Sequence, residues 1–252
     1  MLLELDDVKR RFGGVRAVDG VSGQVEAGRI IGLIGPNGSG KTTLLGLIGA
    51  ALPPSDGEIR FDARSMRGWS TQDAARAGIA RAFQVPQHAA GLTVLENVML
   101  GAMFGSRWLS QHEAEVEARR ALDEVGLGWL AAKHPHEASL GERRGLELAR
   151  LLAMRPTLAL MDEVMGGLSA RNVELTERII LRLRDEGVTL IVVEHVAGVV
   201  ARIADEICVL HEGKVLRWGL PAEVLADRAV IEAYLGRGRQ DADETDREAR
   251  DG

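Results

Sequence analysis

The sequence predicts an α/β fold built on a parallel core sheet, and three observations carry that prediction. Arg29 to Ile34 (RIIGLI) is a short, β-branched apolar run of the kind that forms a buried strand. It leads straight into the glycine-rich segment GPNGSGKTT (35–43) and then into LLGLIGAAL, a helix-like stretch ended by Pro53-Pro54. Strand, glycine-rich loop and helix make one half of a parallel βαβ unit. Two more apolar strands follow, TLALMD (157–162) and VTLIVVE (188–194), with a helix from about Ala170 to Asp185 between them. At 252 residues the chain holds one large domain, or one domain with an insert.

The remaining elements follow in order. Residues 2–9 read as a first strand, with Phe12 and a Gly13-Gly14 turn after it. EIRFDA (58–63) and IARAFQ (79–84) read as strands around a polar, alanine-rich helix. Between about Gln87 and Arg155 the composition shifts to Ala, Glu, Arg and Leu. Val116, Leu122 and Val125 recur there at helical spacing, which predicts an inserted helical subdomain. EICVL and KVLRWG flank the HEGK turn (211–214) as a final pair of strands. The closing GRQDADETDREARDG is charged, lacks an apolar period and is expected to be disordered. These readings divide the chain into an α/β core (1–86 and 156–236), a helical subdomain (87–155) and a tail (237–252).

Composition narrows the function. The charge balance is −6 and aromatics reach only 4%, so neither phosphate coverage nor base stacking along a nucleic acid is expected. One cysteine cannot form an internal disulfide or a cysteine-based zinc site, and it fits a reducing compartment. The N-terminus carries acids where a secretory signal needs an apolar run, and no stretch approaches the length of a membrane span. Glycine is the outlier, 30 of 252, about 12% against a usual ~7%.

The glycines cluster where phosphate chemistry needs them. Residues 35–43 fit G-x-x-x-x-G-K-[ST]. Without side chains at Gly38 and Gly40, backbone N–H groups from Gly35, Asn37, Ser39 and their neighbours can wrap a β-phosphate. Lys41 then reaches the β- and γ-oxygens, and the Thr42 hydroxyl, with Thr43 beside it, is placed to bind Mg²⁺. The second half of the site is TLALMDEV. A buried strand ending in Asp162 delivers a carboxylate that can hold Mg²⁺ through water, and Glu163 can orient or deprotonate an attacking water.

With those residues in place, the sequence resembles the ATP-binding subunit of an ABC transporter over residues 1 to about 236. The order of motifs carries the resemblance: the loop at Lys41, Gln84 at the end of AFQ, Ser139-Leu140-Gly141-Glu142 ahead of a helix, Asp162-Glu163, Gly167-Leu168-Ser169, and His195 after a second apolar strand. It implies a phosphate-loop core sheet with an N-terminal antiparallel β portion and an inserted helical subdomain. It also implies ATP and Mg²⁺ as cofactors, with Gln84 sensing the γ-phosphate and its metal and His195 holding the attacking water. Ser139 and Gly141 would bind ATP held by an opposing subunit. Phe12 would stack on adenine, the alternative being a core phenylalanine, and Val18 would pack near the ribose.

The departures are local. The signature, usually Leu-Ser-Gly-Gly-Gln, is here Ala138-Ser139-Leu140-Gly141-Glu142, and Glu142 repels triphosphate unless Arg143 or Arg144 offsets it. Within the family, RFGGVRAVDGVS, LTVLENV, DEVMGGLS, the Glu194-His195 pair and the ending VIEAYLG are similar to the branched-chain amino acid importer group. That group implies two integral-membrane permease subunits, a second ATP-binding subunit, an extracytoplasmic solute-binding protein acting indirectly, and a place on the cytoplasmic face of the membrane. The alternatives are another ABC system such as lipopolysaccharide export, an ABC-type ATPase acting on ribosomes or DNA, and a regulatory subunit that does not hydrolyse. Cys208, His134, His136, Met103, Phe104 and Trp108 are expected in core, loop or docking roles.

Overall fold

The computed structural model describes residues 1–82, 88–105, 109–195 and 197–234. In chain order the elements are β1 (Leu3–Phe12), β2 (Val15–Val25), β3 (Ile30–Ile34), α1 (Lys41–Ile48), β4 (Asp56–Phe61), β5 (Arg64–Ser65), α2 (Thr71–Ala77) and β6 (Ile79–Ala82). There follow α3 (Val94–Phe104), α4 (Gln111–Glu124), α5 (Leu140–Ala153), β7 (Leu158–Asp162), α6 (Ala170–Asp185) and β8 (Thr189–Val193). Last come α7 (Ala197–Ile203), β9 (Glu206–His211), β10 (Lys214–Gly219) and α8 (Pro221–Ala226).

Two sheets organise these elements. The larger runs β10-β9-β3-β8-β7-β6, parallel throughout except for the antiparallel β10 edge. The smaller is antiparallel, β2-β1-β4-β5. Its β1–β2 hairpin closes on Gly13, whose φ of +57° suits a residue without a side chain. Strand β2 has no counterpart in the sequence reading, because its partner β1 supplies the pairing that its mixed composition does not signal.

The parallel strands are buried on both faces, so they read as apolar runs rather than alternations. Period two still sorts them. Leu158, Leu160, Ile191, Val193, Ile31 and Leu33 face a core shared with the small sheet and α1. Ala159, Met161, Leu190, Val192 and Ile30 face the opposite core, which is continuous with α3, α4 and α5. Each such aliphatic side chain contributes about 1.5–3 kcal/mol by leaving water. Among the described residues, no helix is long and apolar enough to cross a membrane.

The helices from α2 through the helical segment start by sequence-local chemistry. Helices α2 to α5 all open on a capping box, with Ser70, Thr93, Ser110 or Ser139 exchanging hydrogen bonds with the acid three residues on. One expectation here is corrected. Val116 stands exposed, and α4 instead buries Ala114, Ala118, Ala121 and Leu122. The same face buries Glu117, which Arg120 and Arg155 neutralise. Small alanines let α4 lie close to its neighbours, so the valine faces solvent. Met103 packs partly on this core, Phe104 is exposed, and Trp108 lies outside the described residues. The charged tail also falls outside them.

Candidate active site

The loop after β3 is fixed by what its glycines permit. Gly35 has φ +150°, and a Cβ there would lie 2.1 Å from the Leu210 carbonyl oxygen. Gly40 has φ +105°, and its Cβ would lie 2.2 Å from the Ala17 carbonyl oxygen. Neither position accommodates a side chain. Gly38 differs: its φ is +74° but the space around it is open, so it faces whatever the loop receives.

Gly40 also opens α1, whose first residue is Lys41. Lys41 is buried, and its Nζ donates to the carbonyl oxygens of Gly35 at 2.7 Å and Pro36 at 2.9 Å. The ammonium is thus held over the loop by neutral acceptors, partners that an anion would outcompete. Ser39 is buried too, with no hydrogen-bond partner for its hydroxyl among the described residues.

A cavity of about 390 Å³ opens beside this loop. Asn37, Gly38, Gly40, Lys41, Thr42 and Thr43 line one side, with Val15, Arg16 and Ala17 of β2 and Glu212 completing the rim. Glu163 faces the same space. Distant segments of sequence therefore meet where β3 and β7 end, as the carboxyl ends of parallel strands do in open α/β sheets.

The two carboxylates at the end of β7 differ in burial and in partners. Asp162, last in β7, is almost fully buried, and its Oδ2 accepts from Arg81 at 2.8 Å. Its Oδ1 is buried without a partner among the described residues. Glu163 is left-handed, φ +54°, an uncommon conformation for a residue with a side chain, and this turns its carboxylate out of the strand. Oε1 of Glu163 lies 2.6 Å from His195 Nε2.

One residue here escaped the sequence reading as a site residue. Glu194 is buried, and its Oε1 accepts from the Met165 N–H at 2.8 Å. Burial raises its carboxyl above the usual glutamate range and the charge of Glu163 adds to this, against the Met165 hydrogen bond, His195 and Arg144. The only signal in the sequence was an acid where an apolar strand ends, just before His195.

The other expected residues fall as follows. Val18 is fully buried in the core, so it does not face the cavity; its neighbour Ala17 does. Phe12 is 46% exposed with the Arg10 guanidinium 4.7 Å above its ring, which rules out the core alternative. Gln84 lies outside the described residues. Ser139 and Gly141 do not join the Lys41 cavity: Ser139 caps α5, and Gly141 borders a separate groove with Arg144, Leu168 and Asn172. Glu142 is not offset by arginine. Its carboxylate folds back to accept the Ser139 N–H at 2.7 Å, and its hydrogen bonds to Ser139 hold it below the usual range. Cys208 is buried, which pushes its thiol up to about 12. His134 stacks on His136, and no group of three or more His, Cys, Asp or Glu among the described residues is arranged to hold a metal.

Comparison with known proteins decides what this constellation belongs to. Residues 18–166 match the ABC transporter family model, and residues 219–239 match the model of the branched-chain amino acid ATP-binding cassette transporter. The chain belongs to the ABC transporter family. It is an ATP-binding, ATP-hydrolysing subunit. Among its relatives is the high-affinity branched-chain amino acid transport ATP-binding protein BraF of Pseudomonas aeruginosa, 33% identical over 93% of this chain and 98% of that protein. The probable branched-chain amino acid transport ATP-binding protein LivG of Methanocaldococcus jannaschii is 30% identical over 93% and 97%. A nucleotide-free ATP-binding cassette of an ABC transporter superposes with a TM-score of 0.82, at 28% identity over 92% and 98% of the two chains. A dimeric cassette in a post-hydrolysis state, bound to ADP and Pi, gives 0.80 at 28% identity over 87% and 99%. In the ATP-binding subunit described here, the buried Lys41 and the Glu163 carboxylate meet at one cavity.

Proposed function

We propose that this subunit powers the import of branched-chain amino acids or similar small amphiphilic solutes. The reading is supported by the match of residues 219–239 and by the names of its relatives. Two ATP-binding subunits would close head to tail, each ATP lying between one subunit's Lys41 loop and the other's Ser139-Gly141 segment. Ser139 and Gly141 standing apart from their own chain's cavity supports that arrangement. Two permease subunits would carry the solute and hold the pair at the cytoplasmic face of the membrane, and an extracytoplasmic protein would deliver the solute. Gln84 would relay the state of the γ-phosphate to the helical segment.

The observation that carries the chemistry is Glu163 facing the Lys41 cavity with His195 against its carboxylate. Glu163 accepts a proton as water oxygen bonds to the γ-phosphorus, the bond to the β–γ bridging oxygen breaks, and ADP leaves with the electron pair. His195 keeps the carboxylate aimed and helps hold the water. Lys41, drawn from its carbonyl partners, and the loop N–H groups stabilise charge on the phosphates. Mg²⁺ fits the residues present. The buried Asp162 Oδ1, without a partner among the described residues, and the exposed Thr42 hydroxyl are oxygen donors for an ion that takes one or two protein ligands and phosphate oxygens. Bound there, it would neutralise phosphate charge.

Glu163→Gln tests the chemistry and the assembly together. Its turnover is expected to fall by about 10²–10⁴ with ATP affinity retained, and a wild-type rate removes Glu163 as the base. Captured from its own cells in ATP, the variant is expected to bring two multi-spanning permeases and a sister ATPase. Ribosomal or DNA-repair proteins in their place would overturn the import reading.

A further inference from the structure

Three consecutive residues at the end of β8 hold three points of the turn that follows β7. The Val193 carbonyl accepts the Glu163 N–H at 3.0 Å. The Glu194 side chain accepts the Met165 N–H at 2.8 Å. His195 Nε2 lies 2.6 Å from the Glu163 carboxylate. Glu163 therefore sits between two backbone anchors, and it needs them because its φ of +54° is strained for a residue with a side chain. The first anchor is backbone to backbone and independent of residue type. The second is made by one buried carboxylate, and burial makes that hydrogen bond costly to lose.

The turn continues into Gly166 and Gly167, beside the Arg144 guanidinium of α5. Glu194 thus stands where the water-activating turn, the loop after it and the helix behind Ser139 come together. Its carboxylate does not line the Lys41 cavity, so it acts on the reaction through Glu163.

We propose that Glu194 is a positioning residue for hydrolysis, its side-chain oxygen locking the Glu163–Met165 turn so that the Glu163 carboxylate stays aimed at the attacking water. The proposal rests on Glu163 as the group that activates water. What the turn requires is an acceptor and not a charge, so glutamine serves and a hydrocarbon of similar size does not.

The test compares Glu194→Gln with Glu194→Leu in the full chain, the leucine filling the volume so that the core stays packed. Leucine is expected to lower kcat by about tenfold to a hundredfold with the KM for ATP within twofold, as misplacing a reacting group does. Glutamine is expected to stay within about threefold of wild type. In a Glu163→Gln background, Glu194→Leu is expected to cost nothing further, since both act at one step. Wild-type kcat in the leucine variant overturns the proposal. So does a glutamine variant as slow as leucine, a matching rise in KM, or an additive loss in the double variant. A Glu163→Gln single variant with full activity would instead remove the base assignment, so the two failures are distinguishable.

Discussion

The glycine-rich loop before Lys41 and the segment at Ser139 are both helix N-termini, yet they are built in opposite ways. The loop is enclosed: Gly35 and Gly40 press backbone against backbone, Lys41 is buried over it, and a cavity stands ready beside it. The Ser139 end of α5 is open. Its serine is exposed, Leu140 beside it is 61% exposed, and the Ser139 and Glu142 N–H groups are taken up by an exchange between those two residues. One half can organise an anion within a single chain, whereas the other is an open surface apart from that cavity. The difference predicts that substitutions in the two regions separate binding from turnover.

Lys41→Ala offers the sharpest break. It removes the ammonium held over the loop, a charge-assisted contact worth about 1.5–3 kcal/mol. ADP affinity of the isolated chain is expected to fall tenfold to a hundredfold, and ATP turnover by about 10³. Calorimetric titration with ADP checks the first and phosphate release the second. Undiminished ADP binding would mean that the enclosed loop is not where the chain organises its anion.

Ser139→Ala is the counterpart. The chain's own cavity excludes Ser139, so ADP affinity of the isolated subunit is expected to be unchanged. Turnover in the assembled pair is expected to fall about tenfold to a hundredfold, the worth of one hydroxyl donated to a phosphate. A loss of ADP affinity equal to that of Lys41→Ala would erase the contrast between the two regions.

How far each region could be read from sequence follows the same division. The loop was legible because its chemistry is local: glycines at set positions, a lysine and a threonine between a strand and a helix. Asp162 and Glu163 were legible because the strand before them is unbroken and apolar. Val18 was misjudged because the sequence carries no signal for β2, and so none for which of its faces meets the cavity: Val18 faces the core and Ala17 the cavity. Val116 was misjudged because α4 packs through alanines, which an apolar count undervalues. Glu142 looked repulsive in sequence, but the capping box aims its carboxylate back at Ser139. Glu194 was overlooked because its value depends on Met165, a residue 29 positions away in sequence.

The mildest prediction concerns what holds the open region in place. Glu117 of α4 is buried, which by itself disfavours its charge, but hydrogen bonds from Arg155 and Arg120 outweigh this and lower its pKa. Arg155 lies beyond the end of α5, so the cluster ties α4 to the base of the helix that presents Ser139. A depressed folded pKa means that the ionised carboxylate contributes stability above the usual glutamate range. That contribution is lost as pH falls through the depressed value. Glu117→Gln is therefore expected to lower the Tm at pH 7 by about 2–4 °C, for a contribution of about 1 kcal/mol once solvent screening of the half-exposed arginines is allowed for. The gap between variant and wild type should narrow as pH drops below 4.5, the ordinary glutamate value. ADP affinity should not change, because the cavity at Lys41 draws on none of these residues. A Tm gap that persists undiminished in acid would show that packing, and not the ion pairs, is what Glu117 supplies.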